Sequence, residues 1–153
     1  MIANGVGDFT AECFTGVVAE ERRLGLAPDP LRRLAALRAD PLSAREALRL
    51  SNDQTARLAA IHSARETDYP LAANAACFGS DAATSALALD EGSAPENWRA
   101  EIARGGVATF PVTPADVIAS GVAPGPKLGR ELARLKEKWL RSDLTLDRNA
   151  LMR

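Results

Sequence analysis

The sequence predicts an all-α fold, a compact multi-helix domain of about seven to nine short helices, on three observations. Apolar residues make up 46% of the chain and are dominated by Ala and Leu, with few aromatics and few β-branched runs. That composition favours packed helices over sheet. Apolar positions recur at helical spacing, as in Leu31, Leu34 and Leu37. Asp-Pro, Ser-x-x-Gln and glycine signals also start and stop segments at helix length. A chain of 153 residues fits one domain and should bury about two thirds of its unfolded surface. No solenoid period or low-complexity linker divides it, so residues 1–153 are expected to form a single helical domain.

In chain order, Asp8 to Leu24 reads as a first helix closed by Gly25. Asp29-Pro30-Leu31 supplies an N-cap and an N1 proline for a second, with its leucines inward and Arg32, Arg33 and Arg38 outward. A short helix follows from about Leu42 to Leu50. Ser51 and Gln54 form a capping box for the next, which runs to about Glu66 with Leu58 and Ile61 on its inner side. Leu71 to Phe78 and Ser80 to Asp90 are two helices parted by Gly79. Ser93 and Glu96 make a second capping box ahead of a helix that carries Trp98 and Ile102 and ends at Gly105-Gly106. Phe110-Pro111-Val112 is an extended link, and Thr145 to Arg153 reads as one final short helix.

The most informative stretch lies between these last two, from Thr113 to Arg141. Thr113 caps a short helix with Pro114 at N1, Asp116 to Ser120 continues it, and Gly121 stands where a left-handed C-cap residue is wanted. Val122 to Pro126 reverses the chain and opens one uninterrupted helix of about four turns. Its Leu128, Leu132, Leu135 and Trp139 share a band roughly 60° wide, the buried face. Lys127, Arg130, Arg134, Lys138 and Arg141 share a second band roughly 80° wide, centred about 130° away. Glu131 and Glu137 flank this stripe and leave its middle positive. Most amphipathic helices present an outer face to solvent and nothing more. A single-sign stripe beside a glycine turn suits a polyanion better, with amides near Gly125, Lys127 and Leu128 at the positive end of the helix dipole and no side chain on Gly125.

The net charge of −1 hides a segmentation. From Arg32 to Arg65 there are seven arginines against three acids, and from Glu66 to Glu101 seven acids against Arg99. After Glu101 the balance turns positive again, and the two basic segments would make one electropositive face with an acidic back if the fold brings them together. Cys13 and Cys77 form no CxxC pattern and read as two buried thiols of a reduced, cytoplasmic protein. No apolar run approaches membrane-spanning length. His62 has no partner at ligand spacing and reads as a packing or surface residue. No phosphate loop, GxGxxG, HExxH, GxSxG or DxD motif occurs, so these residues predict a binding module.

The run from Phe110, FPVTPADVIASGVAPGPKLGRELARLKEKWLRSDLTLDRNALM, resembles the C-terminal signature of bacterial CCA-adding tRNA nucleotidyltransferases of the class II, poly(A)-polymerase-like family. APDPLRRLAAL at 27–37 and RLSN at 49–52 resemble the preceding body region of that family. The similarity runs from about Leu24 to the end and is strongest in the last quarter. Members of the family carry a catalytic head with a GS motif, a DxD metal pair and a nucleotide-selecting helix, followed by all-α neck, body and tail. The head is missing here: Gly79-Ser80 and Gly92-Ser93 lack the following DxD, and no EDxxR stands in the sequence. LAANAACFG also replaces a more basic, Tyr- and Arg-containing stretch. The resemblance therefore implies a C-terminal portion that binds tRNA at its acceptor and T-arm backbone, without catalytic residues or cofactor of its own. Magnesium would belong to the missing head.

The expected contacts are Gly125 and Lys127 to a phosphate at the turn, then Arg130, Arg134, Lys138 and Arg141 along the stripe. Arg32, Arg33 and Arg38 are second choices. Two other readings fit the residues, a helix-hairpin-helix-like DNA binder and a helical protein-interaction domain.

Overall fold

The computed structural model describes residues 11–90, 92 and 94–153. Among them the chain is all-α, with no strand and ten helices: α1 Ala11–Arg23, α2 Pro30–Ala36, α3 Pro41–Leu48, α4 Asn52–Glu66, α5 Leu71–Phe78, α6 Ser80–Leu89, α7 Trp98–Val107, α8 Pro114–Ala119, α9 Pro126–Arg141 and α10 Arg148–Met152. The count exceeds the expected range because α8 and α10, of six and five residues, stand as separate turns. None of these helices is long and apolar enough to cross a membrane.

Local chemistry sets most boundaries. Asp29, Asp40, Ser51, Thr113 and Asp147 each accept from a backbone N–H in the first turn they precede. This satisfies donors that the helix leaves unpaired. Asp40 begins α3 one residue earlier than expected, and left-handed Arg49 ends it at Leu48, two residues short. The Ser51–Gln54 box forms as read, and Thr113 gains a second one with Asp116. Ser93 and the start at Asp8 lie outside the described residues, and α7 is preceded by Asn97.

Three core clusters hold the helices together. Val17, Ala35, Leu58, Ile61 and Ala86 join α1, α2, α4 and α6. Leu24, Ala75, Leu87, Trp98 and Ile102 join α5, α6 and α7 at the end of α1. Ala73, Val117, Leu135, Trp139 and Leu151 join α5 to α8, α9 and α10. Helix α5 contributes to the last two clusters and buries Ala72, Ala73, Asn74 and Ala75 in succession. A helix apolar all round is a buried one, and its small side chains let neighbours come close.

The glycine pair in α7 shows this closeness. Helix α7 does not stop at Gly105-Gly106 but runs through both to Val107. A Cβ on Gly105 would lie 2.0 Å from the Ala72 carbonyl oxygen, so here the glycine permits helix contact rather than ending a helix. The tail differs as well. Asp143 and Leu144 take left-handed φ of 57° and 63°, and helix resumes only at Arg148 behind its Asp147 cap.

Charged residues expected to face outward are partly structural. Arg32 is 5% exposed and donates to Glu21 at 3.1 Å, to Ser85 Oγ at 3.4 Å and to the Ala27 carbonyl at 3.2 Å. Arg33 meets the same carboxylate at 2.8 Å. Glu21, itself buried, thus takes both arginines, because a lone buried carboxylate would be costly. Arg57 bridges Asp29 at 2.5 Å and Asp81 at 2.6 Å, tying α4 to the cap of α2 and to α6. Of these pairs, Arg57–Asp81 joins the basic segment to the acidic one, while Glu21 and Asp29 precede both.

Candidate nucleic-acid interface

Helix α9 is held by its apolar face. Leu135, Trp139 and Leu140 are buried, Leu128 and Leu132 are half-buried, and the Phe110 ring lies 5.6 Å from that of Trp139. Burying this face turns Lys127, Arg130, Arg134, Lys138 and Arg141 outward, and all five are exposed.

The turn before it is shaped by two glycines. Gly121, at φ 97°, lets its N–H reach the Ile118 carbonyl at 2.9 Å while the Val122 N–H reaches that of Val117 at 3.3 Å. These two bonds are a Schellman closure of α8. Gly125, at φ 126° and ψ −160°, precedes Pro126 at N1, and no side chain caps α9. A Cβ on Gly125 would meet no atom within 4 Å, so the space over the helix start is open.

Electrostatically the stripe divides in two, which corrects the expectation that Glu131 and Glu137 leave it unneutralised. Arg134 grips Glu131 at 2.6 Å, one turn back. Arg141 pairs with Glu137 at 2.6 Å and with Asp68, from the acidic segment, at 3.2 Å. Lys138 donates to the Ala150 carbonyl at 3.3 Å. Lys127 and Arg130, nearest the turn, have no hydrogen-bond or ion-pair partner among the described residues. The Arg134 bond holds Glu131 below the usual carboxylate range, and Lys127 adds to the effect. The bond from the Tyr69 hydroxyl likewise lowers Glu137, and Tyr69 itself is pushed up to about 12 by that carboxylate.

No family model, curated protein or solved structure matches the chain.

Of the second-choice residues, Arg32 and Arg33 are committed to Glu21, and only Arg38 is exposed without a partner among the described residues. His62 is half-buried with Nε2 3.0 Å from the Ala39 carbonyl, a packing role. Cys77 is half-buried, less than expected, and burial pushes its thiol up. The Cys13 side chain lies outside the described residues. Among the described residues, no three His, Cys, Asp or Glu side chains gather into a possible metal site. Sequence reasoning passed over Arg65, Thr67 and Asn74. They share one pocket with Arg38, yet they come from segments with no common motif.

Proposed function

We propose that this chain is the tRNA-binding C-terminal portion of a CCA-adding tRNA nucleotidyltransferase, gripping the acceptor and T-arm backbone with the outer face of α9 in the cytoplasm. One observation carries the reading. Lys127 and Arg130 have no hydrogen-bond or ion-pair partner among the described residues, and they stand beside open, side-chain-free Gly125 at the uncapped start of a helix whose opposite face is buried. Free helix amides and two uncommitted cations at one point suit a backbone phosphate. The FPVTPADVIASGVAPGPKLG resemblance supports tRNA as the source of that phosphate.

Recognition of this kind reads shape. Side chains cannot enter the deep groove of A-form RNA, so contacts fall on phosphates and 2′-hydroxyls along the helix surface. Lys127 and Arg130 make the first grip. Arg134 and Arg141 contribute as they exchange a carboxylate for a phosphate. The chain's part is to hold and orient RNA, and nucleotide addition is assigned to none of the described residues.

The test is fluorescence anisotropy of the chain with a tRNA transcript and with duplex DNA of matched length. The reading expects tRNA to bind more tightly. Arg130→Ala should weaken tRNA binding about three- to tenfold, and Arg134→Ala less. Equal affinity for DNA would favour a helix-hairpin-helix-like module. Binding to neither would leave a protein-facing surface.

A further inference from the structure

We infer that the groove between α1, α2, α3 and the start of α4 docks one amphipathic helix of a partner protein, with apolar anchors on one face and carboxylates beside them. The groove is lined without any residue of α9, so the inference does not rest on RNA binding.

The groove, of about 580 Å³, has the buried Leu31 and Leu37 at its base and Phe14, Leu34, Leu48 and Leu50 nearer to water. Phe14 is 43% and Leu48 57% exposed, while Leu34 and Leu50 are half-buried. Single exposed apolar residues are ordinary on a surface. Here two of the five large ones exposed among the described residues share one groove. Helix α3 shows why this surface is unfinished. Of its eight residues only Ala44 is buried, and Leu42 and Leu48 are both exposed. A short helix draws most of its stability from a packed apolar face, so α3 has packing left to make.

The lining selects the occupant. A small molecule is buried over most of its surface when bound, which a groove with such exposed walls does not provide. The described residues hold no strand, so no sheet edge is offered to an extended peptide. Polyproline segments dock against aromatic-lined grooves, and Phe14 is the one aromatic on this lining among the described residues. Leucines between helices suit the stripe of another helix, with anchors at i, i+3 or i+4 and i+7.

Charge sets the partner's sign. On the lining, Arg33 is taken by Glu21, and Arg57 by Asp29 and Asp81. On the rim, Arg45 lies about one turn before Leu48 on the same side of α3, and Arg49 follows Leu48 directly. Both are exposed, and neither guanidinium has a hydrogen-bond or ion-pair partner among the described residues. Glu46 is turned about 160° from Leu48 around the helix, and Asp53, beside Gln54 of the lining, leaves the rim net positive. Carboxylates flanking the anchors of an incoming helix would meet Arg45 and Arg49.

The test is fluorescence anisotropy of the full chain with a labelled, stapled helical peptide of about four turns, leucines on one face and glutamates flanking them. Micromolar binding is expected, at least about tenfold tighter than for the same peptide with lysines for the glutamates or alanines for the leucines. Leu48→Asp, at an exposed position, should lose about tenfold, and Arg45→Glu about three- to tenfold. Phe14→Ser tests the α1 side should Leu48→Asp fail to fold. Arg130→Ala should leave peptide affinity unchanged, which separates this surface from the α9 stripe and its failure from that of the RNA reading. No binding at millimolar peptide, equal binding of the lysine peptide, unchanged affinity in a folded groove variant, or a loss in Arg130→Ala would each overturn the proposal. So would a dimer in sedimentation equilibrium that Leu48→Asp dissociates, which gives the groove to a second copy. Peptide binding that appears only once residues 1–10 are removed gives it to the chain's own N-terminus and overturns the proposal as well.

Discussion

Tyr69 is the single tyrosine of the chain, and it sits where three charged groups converge. Its hydroxyl donates to Glu137, its ring faces Arg141, and Arg141 in turn reaches Asp68. The acceptor carboxylate favours the neutral phenol, so the folded-state pKa rises to about 12. A raised pKa gives stability that is fully present below the unfolded value near 10 and lost as pH climbs through 12. Phenolate absorbance during an alkaline titration should therefore appear near 12, and in Glu137→Gln it should move back towards about 10. A wild-type midpoint already near 10 would mean the bond is absent in solution. None of this was legible in the sequence. The partners are 68 residues apart, and periodicity reports only neighbours on one helix. Arg32 teaches the same lesson, since residue type pointed it to solvent while Glu21 and Ser85 draw it inside.

Among elements, α9 was the most legible. Its start at Pro126, its end at Arg141 and its apolar phase all follow from 3.6-residue periodicity and the absence of a breaker. The phase makes a quantitative difference between two leucines. Leu135 is 2% exposed and packs into the third core cluster, whereas Leu132 is half-buried at its edge. Leu135→Ala should cost about 2–5 kcal/mol, and Leu132→Ala about 1–2 kcal/mol because less area leaves water. Urea denaturation of both variants checks the order, and a larger loss at Leu132 would rotate the helix away from this description. Helix α7 was misread for a physical reason. A glycine pair signals a helix end by its conformational freedom, but it also permits backbone contact, and only the neighbour, Ala72, decides between the two.

Across the whole molecule, part of the charge segmentation legible in the sequence becomes cross-element ion pairs, Arg57–Asp81 and Arg141–Asp68, and this changes how strongly the proposed RNA binding should respond to salt. Five free cations on five phosphates would give a log–log slope near −4.5, at about 0.9 per phosphate. Arg134 and Arg141 are already paired with Glu131, Glu137 and Asp68, and a cation that trades a carboxylate for a phosphate releases fewer counterions. Lys127, Arg130 and Lys138, whose one contact is an uncharged backbone carbonyl, give a slope of about −2.7. The expected slope for tRNA is therefore closer to about −2.7 than to −4.5. Glu131→Gln provides the internal control: it removes the charge that holds Arg134 without touching the buried face. Binding should tighten in this variant and the slope should steepen by about one. If the wild-type slope is already near −4.5, or if Glu131→Gln leaves it unchanged, the ion pairs do not compete with RNA, and Lys127 and Arg130 lose their special standing on the stripe.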